Sequence, residues 1–168
     1  LSSVVHNAAC VAAGIDAVYL PFLVPKGHLG DLLKKAKRWP LAGLSVTIPH
    51  KENVVGFASS QGDLVEEIGA ANTISFDGET GAMKVFNTDV TAAVAAIQES
   101  LEAQDVGFGG RLGLKSALIL GAGGAARAIA FGLRKQGVEV TISSRTVGRA
   151  HTLAELVNGK VVEWSGRH

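Results

Sequence analysis

Ser116-Ala-Leu-Ile-Leu-Gly-Ala-Gly-Gly-Ala-Ala126 is the stretch on which the reading of this chain turns. Ser116 to Leu120 is a short apolar run of the kind that forms a buried strand, Gly121 to Gly124 is a glycine-rich turn, and Ala125 to Gln136 has the pattern of a helix. Val138 to Ser143 then reads as strand, Gly148 to Val157 as helix and Lys160 to Trp164 as a third strand. The order β-α-β-α-β is the opening of a doubly wound parallel sheet.

Within that frame, Gly121-Ala-Gly123-Gly-Ala-Ala126 fits the pattern G-x-G-x-x-[G/A]. The match alone says little in a glycine-rich chain. Between a strand and a helix it points to a dinucleotide. Gly121 permits the tight turn, Gly123 lets the backbone approach a pyrophosphate, and the small Ala126 lets helix pack on strand. The free N–H groups of the helix N-terminus then face the phosphates. Gly121, Ala122, Gly123, Gly124, Ala125 and Ala126 are the expected cofactor-binding residues; the plainer alternative is a strand-turn-helix that merely needs small residues.

The end of the second strand chooses between dinucleotides. An NAD site wants an acid there for the ribose 2′-hydroxyl, whereas an NADP site wants arginine for the 2′-phosphate. The strand runs into Ser144-Arg145-Thr146, with Arg149 one helical turn on, and the nearby acid Glu139 stands at the opposite end. Arg145, Thr146 and Arg149 therefore point to NADP, unless the arginines are only solvated surface charges.

Composition narrows the classes around this. Of 168 residues, 47% are apolar and 18% charged, which is ample to bury a core and excludes a disordered chain. Sixteen Lys+Arg against fifteen Asp+Glu leave a net charge of +1, with no basic surplus for nucleic acid or an anionic membrane. The most apolar long stretch, Ala117 to Leu133, contains Arg127 and is too short for a membrane span. The single cysteine, Cys10, is on an apolar helix face and is expected in the core, and no His/Cys/Asp/Glu grouping has metal-ligand spacing, so no metal is expected.

The first half is a different α/β arrangement. Ser2 and Ser3 are placed to cap a helix over Val4 to Ala13, stopped by Gly14. Ala17 to Val24 reads as strand, Leu29 to Trp39 as helix, Leu44 to Ile48 as strand, and Pro49 as a helix start. A helical turn at Leu64 to Ile68, strands at Ala71 to Phe76 and Met83 to Phe86, and a helix from Thr88 to Leu101 complete it. Gln104 to Leu114, with four glycines, reads as the loop into the second unit. The expected division is a substrate-binding unit over 1–103, with a mostly parallel sheet, and a partial Rossmann unit over 104–168.

Polar clusters fall at element ends: Ser2-Ser3-x-x-His6-Asn7, Ser45-Val-Thr47-Ile-Pro49-His50-Lys51, and Asn72-Thr73 with Asn87-Thr88-Asp89. Such residues suit a small polyhydroxylated acid, whose hydroxyls need donors and acceptors. A lysine beside an aspartate can also give a proton to a carbonyl oxygen as hydride arrives. His6 and His50 read as structural hydrogen-bonding residues. Asp89 also suits the first turn of its helix, a role compatible with chemistry.

The runs Ser-Val-Thr-Ile-Pro-His-Lys (45–51), Ala-Ala-Asn-Thr-Ile (70–74), Asn-Thr-Asp (87–89), Gly-Ala-Gly-Gly-Ala-Ala (121–126) and Ser-Arg-Thr (144–146) together resemble the shikimate dehydrogenases. The form fused behind a dehydroquinate dehydratase is resembled as much as the free-standing one. The resemblance implies that Lys51 is the catalytic lysine and Asp89 its partner. It also implies that Thr47 and Asn72 bind substrate hydroxyls and that Ser2 is the second of two serines holding the carboxylate. Asn87 is a further substrate-binding candidate. The implied reaction is reduction of 3-dehydroshikimate to shikimate with NADPH, in a cytoplasmic protein (plastid for a plant fusion) that binds small molecules and no nucleic acid or membrane. A homodimer stays open.

Ser3 stands where the family has proline, Ser144 where it has asparagine, and Val90 and Ala92 where aromatic and glycine residues are common. The resemblance also implies truncation at both ends, the first substrate-domain strand and the second half of the dinucleotide domain lying outside the chain. The isolated chain is then expected to be inactive and poorly stable, or rescued by pairing with another chain. A quinate/shikimate dehydrogenase and a non-catalytic dinucleotide-binding module remain as alternatives.

Overall fold

The computed structural model describes residues 1–36, 38–103 and 116–166. The loop expected over Gln104–Leu114 lies outside the described residues. Helix α1 is Ser2–Ala12 and α2 is Leu29–Ala36; strand β1 is Gly43–Ser45, and a 3₁₀ turn covers Asn53–Phe57. Then come β2 (Ser60–Gln61), α3 (Val65–Ile68), β3 (Thr73–Phe76), β4 (Met83–Phe86) and α4 (Asp89–Ala103). The second unit contains β5 (Ser116–Leu120), α5 (Gly124–Lys135), β6 (Glu139–Ser143), α6 (Val147–Val157) and β7 (Lys160–Val161).

The second sheet has the order β5-β6-β7 with both pairings parallel, Leu118 opposite Thr141 and Ile142 opposite Val161. Parallel neighbours need crossovers, and α5 and α6 supply them. The third strand is shorter than expected. Val162 still donates to Ile142 O, but the Ser143 hydroxyl reaches Glu163 O, and the chain coils into a 3₁₀ turn from Trp164.

The first sheet has the order β1-β3-β4-β2. Its β1–β3 and β3–β4 pairings are antiparallel and only β2–β4 is parallel, so the sheet is mixed, not mostly parallel. The reason is local: Asp77 to Gly81 forms a tight turn that returns the chain directly alongside β3, with Asp77 Oδ1 accepting from the Thr80 N–H and hydroxyl. Two other expectations change. Ala17–Val24 forms no strand among the described residues: Pro21 has no N–H to donate, and Val18, Leu20 and Leu23 are exposed. Pro49 does not open a helix; the Ile48–Pro49 bond is cis, and helical geometry begins at Asn53.

Helix α1 starts two residues earlier than expected. Ser2 and Ser3 lie inside it and make no capping bond. No residue of α1 is buried, and Cys10, expected in the core, is only half-buried. Helix α2 shows the amphipathic logic plainly, with Leu29, Leu33 and Ala36 buried, Asp31 in its first turn and Lys34 and Lys35 in its last.

Two buried clusters hold the molecule. One gathers Leu33, Val54, Val65, Ile74, Met83 and Val85 between the first sheet and its helices. The larger crosses the expected division between units: Ile68, Ala70 and Val90 pack with Phe131, Leu133, Ile142 and Leu153. Gly132 makes that crossing close, because a Cβ there would stand 2.8 Å from Val94 Cγ2 and 3.1 Å from Val90 Cγ1. Helices α4 and α5 therefore meet backbone to side chain, at a seam between the two sheets' units.

Candidate active site

The seam ends in a hydrogen-bonded cluster. Lys51 lies in the turn after β1, fixed by its carbonyl accepting from the Ala71 N–H at 2.7 Å. Asp89 opens α4, where the helix dipole favours a carboxylate. Their side chains meet, Lys51 Nζ donating to Asp89 Oδ2 at 2.6 Å, with 17% and 25% of the two side chains exposed. The pair is shielded from bulk water yet open on one side.

Asn72 organises the surroundings. Its Nδ2 donates to Asp89 Oδ1 and to Thr88 Oγ1, both at 2.8 Å, while its Oδ1 accepts from the Thr88 N–H at 3.0 Å and the Thr73 hydroxyl at 2.9 Å. Asn87 lies behind. It is buried, donates to Ala70 O at 2.9 Å and accepts from the Asp89 N–H at 3.0 Å, so both ends of its amide are spent on backbone. Its geometry is that of a residue that positions Asp89, whereas Asn72 borders the exposed Thr88.

Thr47 is exposed two residues beyond β1, and its carbonyl accepts from the His50 N–H at 2.9 Å. His50 itself is buried, its Nε2 2.8 Å from Val24 O and its Nδ1 without a partner among the described residues. It ties the extended 15–24 segment to the lysine turn. Ser2 stands apart, exposed in the first turn of α1 and outside the hydrogen-bonded network around Lys51. In the same region His6 stacks on Tyr19 with ring centroids 4.5 Å apart, and Asn7 bonds both the N–H and the carbonyl of Tyr19.

The glycine turn reaches this cluster directly. Gly121 adopts φ +123°, open to glycine and rare for other residues, and donates its N–H to Ser143 O at 2.7 Å. A Cβ on Gly123 would meet nothing within 4 Å, which leaves clear space in front of the first turn of α5. Gly124 is different: a Cβ there would lie 2.7 Å from Lys51 Cβ. The lysine stem thus lies against the turn, and its ammonium extends to Asp89.

At the end of β6, Arg145 and Thr146 are exposed, and Arg145 makes no ion pair among the described residues. Arg149 forms an ion pair with Glu52, the residue after Lys51. Glu139 is engaged at the far end of the strand, 3.4 Å from Lys160. These residues fit a 2′-phosphorylated dinucleotide: a turn with open space before the N-terminus of α5, and arginines just beyond the end of β6. Thr73 and Thr88 belong to the polar cluster that the sequence marks, whereas Glu52 and Arg127, which border it, were not expected there. Arg127 is signalled only as the lone charge in an apolar stretch, and Glu52 only by its place after Lys51. Among the described residues there is no group of three or more His, Cys, Asp or Glu side chains that could hold a metal, and no helix is long and apolar enough to cross a membrane.

A dinucleotide-type turn packed against a lysine–aspartate pair, on two α/β sheets, defines the class of this molecule: a two-unit fold of the kind found in nucleotide-dependent dehydrogenases. Within that class the comparisons are specific. Residues 1–74 match the family model described as the shikimate dehydrogenase substrate binding domain. The NADP(+) shikimate dehydrogenase of Methanocella arvoryzae is 42% identical over 154 residues, covering 92% of this chain and 52% of that protein. The crystal structure of shikimate dehydrogenase from Aquifex aeolicus superposes with a TM-score of 0.81 at 34% identity, over 96% of this chain and 57% of the other. That of the Thermus thermophilus enzyme in complex with NADP(H) and shikimate gives 0.77 at 32% identity, over 96% and 57%. In sequence and fold the chain is similar to the shikimate dehydrogenases. It spans about half the length of the curated relatives it matches.

Proposed function

We propose that this chain carries the substrate-binding unit, residues 1–103, and part of the NADP-binding unit, residues 104–168, of an enzyme that reversibly reduces 3-dehydroshikimate to shikimate. The observation that carries the reading is the Lys51–Asp89 pair packed against Gly124 of the dinucleotide turn. A proton-transfer pair and a phosphate-binding turn in van der Waals contact put substrate and dinucleotide side by side. The likeness to the Thermus enzyme, whose structure holds NADP(H) and shikimate, supports the choice of both ligands.

The dinucleotide, when bound, supplies the hydride for reduction or takes it in oxidation. Lys51 Nζ gives a proton to the carbonyl oxygen as the alkoxide develops, and in the reverse direction the pair accepts the hydroxyl proton. Asp89 Oδ2 keeps the ammonium aimed, and Asn72 keeps Asp89 from rotating by holding its other oxygen. Asn72 is fully engaged without substrate, so a substrate hydroxyl reaches it by replacing Thr88 Oγ1. Thr47 presents its hydroxyl from the exposed end of the lysine turn, and Ser2 is assigned to the carboxylate by family resemblance alone. Arg145, Thr146 and Arg149 take the 2′-phosphate, and the backbone of 121–126 takes the pyrophosphate. A homodimer and a cytoplasmic location are expectations from the family resemblance alone, and no contact in the structure bears on them.

The test is spectrophotometric. Absorbance at the reduced-nicotinamide band is followed, in the complete enzyme of which this chain is proposed to be part, with shikimate or quinate as substrate and NADP or NAD as acceptor. Reduction of NADP in preference to NAD with shikimate is expected. Equal efficiency with the two dinucleotides contradicts the arginine assignment, and turnover of quinate alone contradicts the substrate.

A further inference from the structure

Glu52 follows Lys51 in the chain, yet its side chain faces the dinucleotide unit. Its Oε1 pairs with Arg149 of α6, and its Oε2 lies 4.0 Å from Arg127 Nη1 of α5. Arg127 is anchored independently: its Nε donates to Ile68 O, a carbonyl at the C-terminus of α3, at 3.0 Å, and only 18% of its side chain is exposed. Arg149 has no such second anchor among the described residues and is 52% exposed. One carboxylate thus sits between a fixed guanidinium and a movable one. The movable one is the residue assigned above to the 2′-phosphate.

We propose that Glu52 determines dinucleotide selectivity by competing with the 2′-phosphate for Arg149. The competition is chemically direct, because a carboxylate and a phosphate offer a guanidinium the same paired oxygen acceptors. Arriving 2′-phosphate draws Arg149 away from Glu52, and Arg127 remains beside Glu52 to keep its charge compensated. The exchange makes cofactor binding sensitive to a residue adjacent to Lys51, while a dinucleotide lacking the 2′-phosphate leaves the Glu52–Arg149 pair intact. This rests on the NADP reading of Arg149.

The test is calorimetric titration of the intact chain with adenosine 2′,5′-bisphosphate and, separately, 5′-AMP, each variant being checked for an unchanged circular dichroism spectrum. Glu52→Gln is expected to tighten the bisphosphate by roughly two- to fivefold, the scale of a partly exposed ion pair, and to leave 5′-AMP unchanged. Glu52→Asp retains the charge but shortens the reach, so it is expected to behave as Glu52→Gln; behaviour like the wild type would mean a general field and overturn the competition. In an Arg149→Ala background, Glu52→Gln is expected to have no effect, and an effect as large as in the wild type would also overturn it. Unchanged or weaker bisphosphate binding in Glu52→Gln, where Arg149→Ala does weaken binding, overturns the role of Glu52 alone. Bisphosphate binding that Arg149→Ala leaves untouched overturns the NADP reading of Arg149 together with it.

Discussion

Lys51 and Asp89 lie 38 residues apart in sequence on different elements, and the lysine Nζ donates to the aspartate Oδ2 at 2.6 Å. Each residue is placed by backbone bonds of its own, Lys51 through Ala71 and Asp89 through the Asn87 side chain. The pair is therefore preset by the fold, and in the proposed reaction no large rearrangement is needed to aim a proton at a substrate oxygen.

Asp89→Asn keeps the shape of the carboxylate and removes its charge. Turnover in NADP-dependent shikimate oxidation is expected to fall by about a hundredfold or more, with a much smaller change in KM, as befits loss of one partner in proton transfer. Steady-state kinetics on purified variant and parent check it.

Asn72→Ala removes four hydrogen bonds at once and strips Asp89 Oδ1 and the Thr88 N–H of their protein partners. Stability is expected to drop by about 1–3 kcal/mol, the cost of leaving such groups unmatched. Urea unfolding followed by circular dichroism reads it, and turnover is expected to fall in the same variant because Asp89 loses its brace.

Gly124 and Gly123 are neighbours with opposite expected responses. In Gly124→Ala the new methyl would stand 2.7 Å from Lys51 Cβ, close to the backbone where the lysine stem cannot simply swing aside. Turnover is expected to fall because Lys51 is displaced. Gly123→Ala meets nothing within 4 Å, so stability is expected to hold while NADP affinity weakens, the methyl occupying the space assigned to the pyrophosphate. Thermal melts paired with NADP titrations separate the two outcomes.

The β3–β4 turn carries a pH signature. The Thr80 hydroxyl, helped by the Thr80 and Glu79 N–H groups, holds the exposed Asp77 carboxyl below its ordinary value of 3.8. A carboxyl lowered by folding contributes stability above its unfolded value and loses it as pH falls through the folded one. The melting temperature of Asp77→Ala should therefore lie slightly below the parent at neutral pH, and the gap should close well below pH 3.8.

What the sequence made legible divides by range. The turn at 121–126 was readable because its demands are local: a positive φ at Gly121 and open space at Gly123 both follow from the lack of a side chain. The strand expected at Ala17–Val24 does not form among the described residues, because β-forming residues describe a surface that suits pairing and cannot supply the partner. The two-residue β2, Ser60–Gln61, has no apolar pattern and exists only through its pairing with β4. The meeting of Lys51 with Asp89 was visible through family resemblance, since no spacing rule joins residues on separate elements. The Glu52–Arg149 contact, 97 residues apart, had neither route.

Lys51 is the proton donor of the proposed reaction. The decisive measurement is the NADP-dependent oxidation of shikimate by the complete enzyme carrying Lys51→Ala, with KM determined alongside kcat. The expected result is a fall in kcat of about a hundredfold or more with KM little changed, which marks an interaction made chiefly in the transition state. A variant that turns over at the rate of the parent would contradict it.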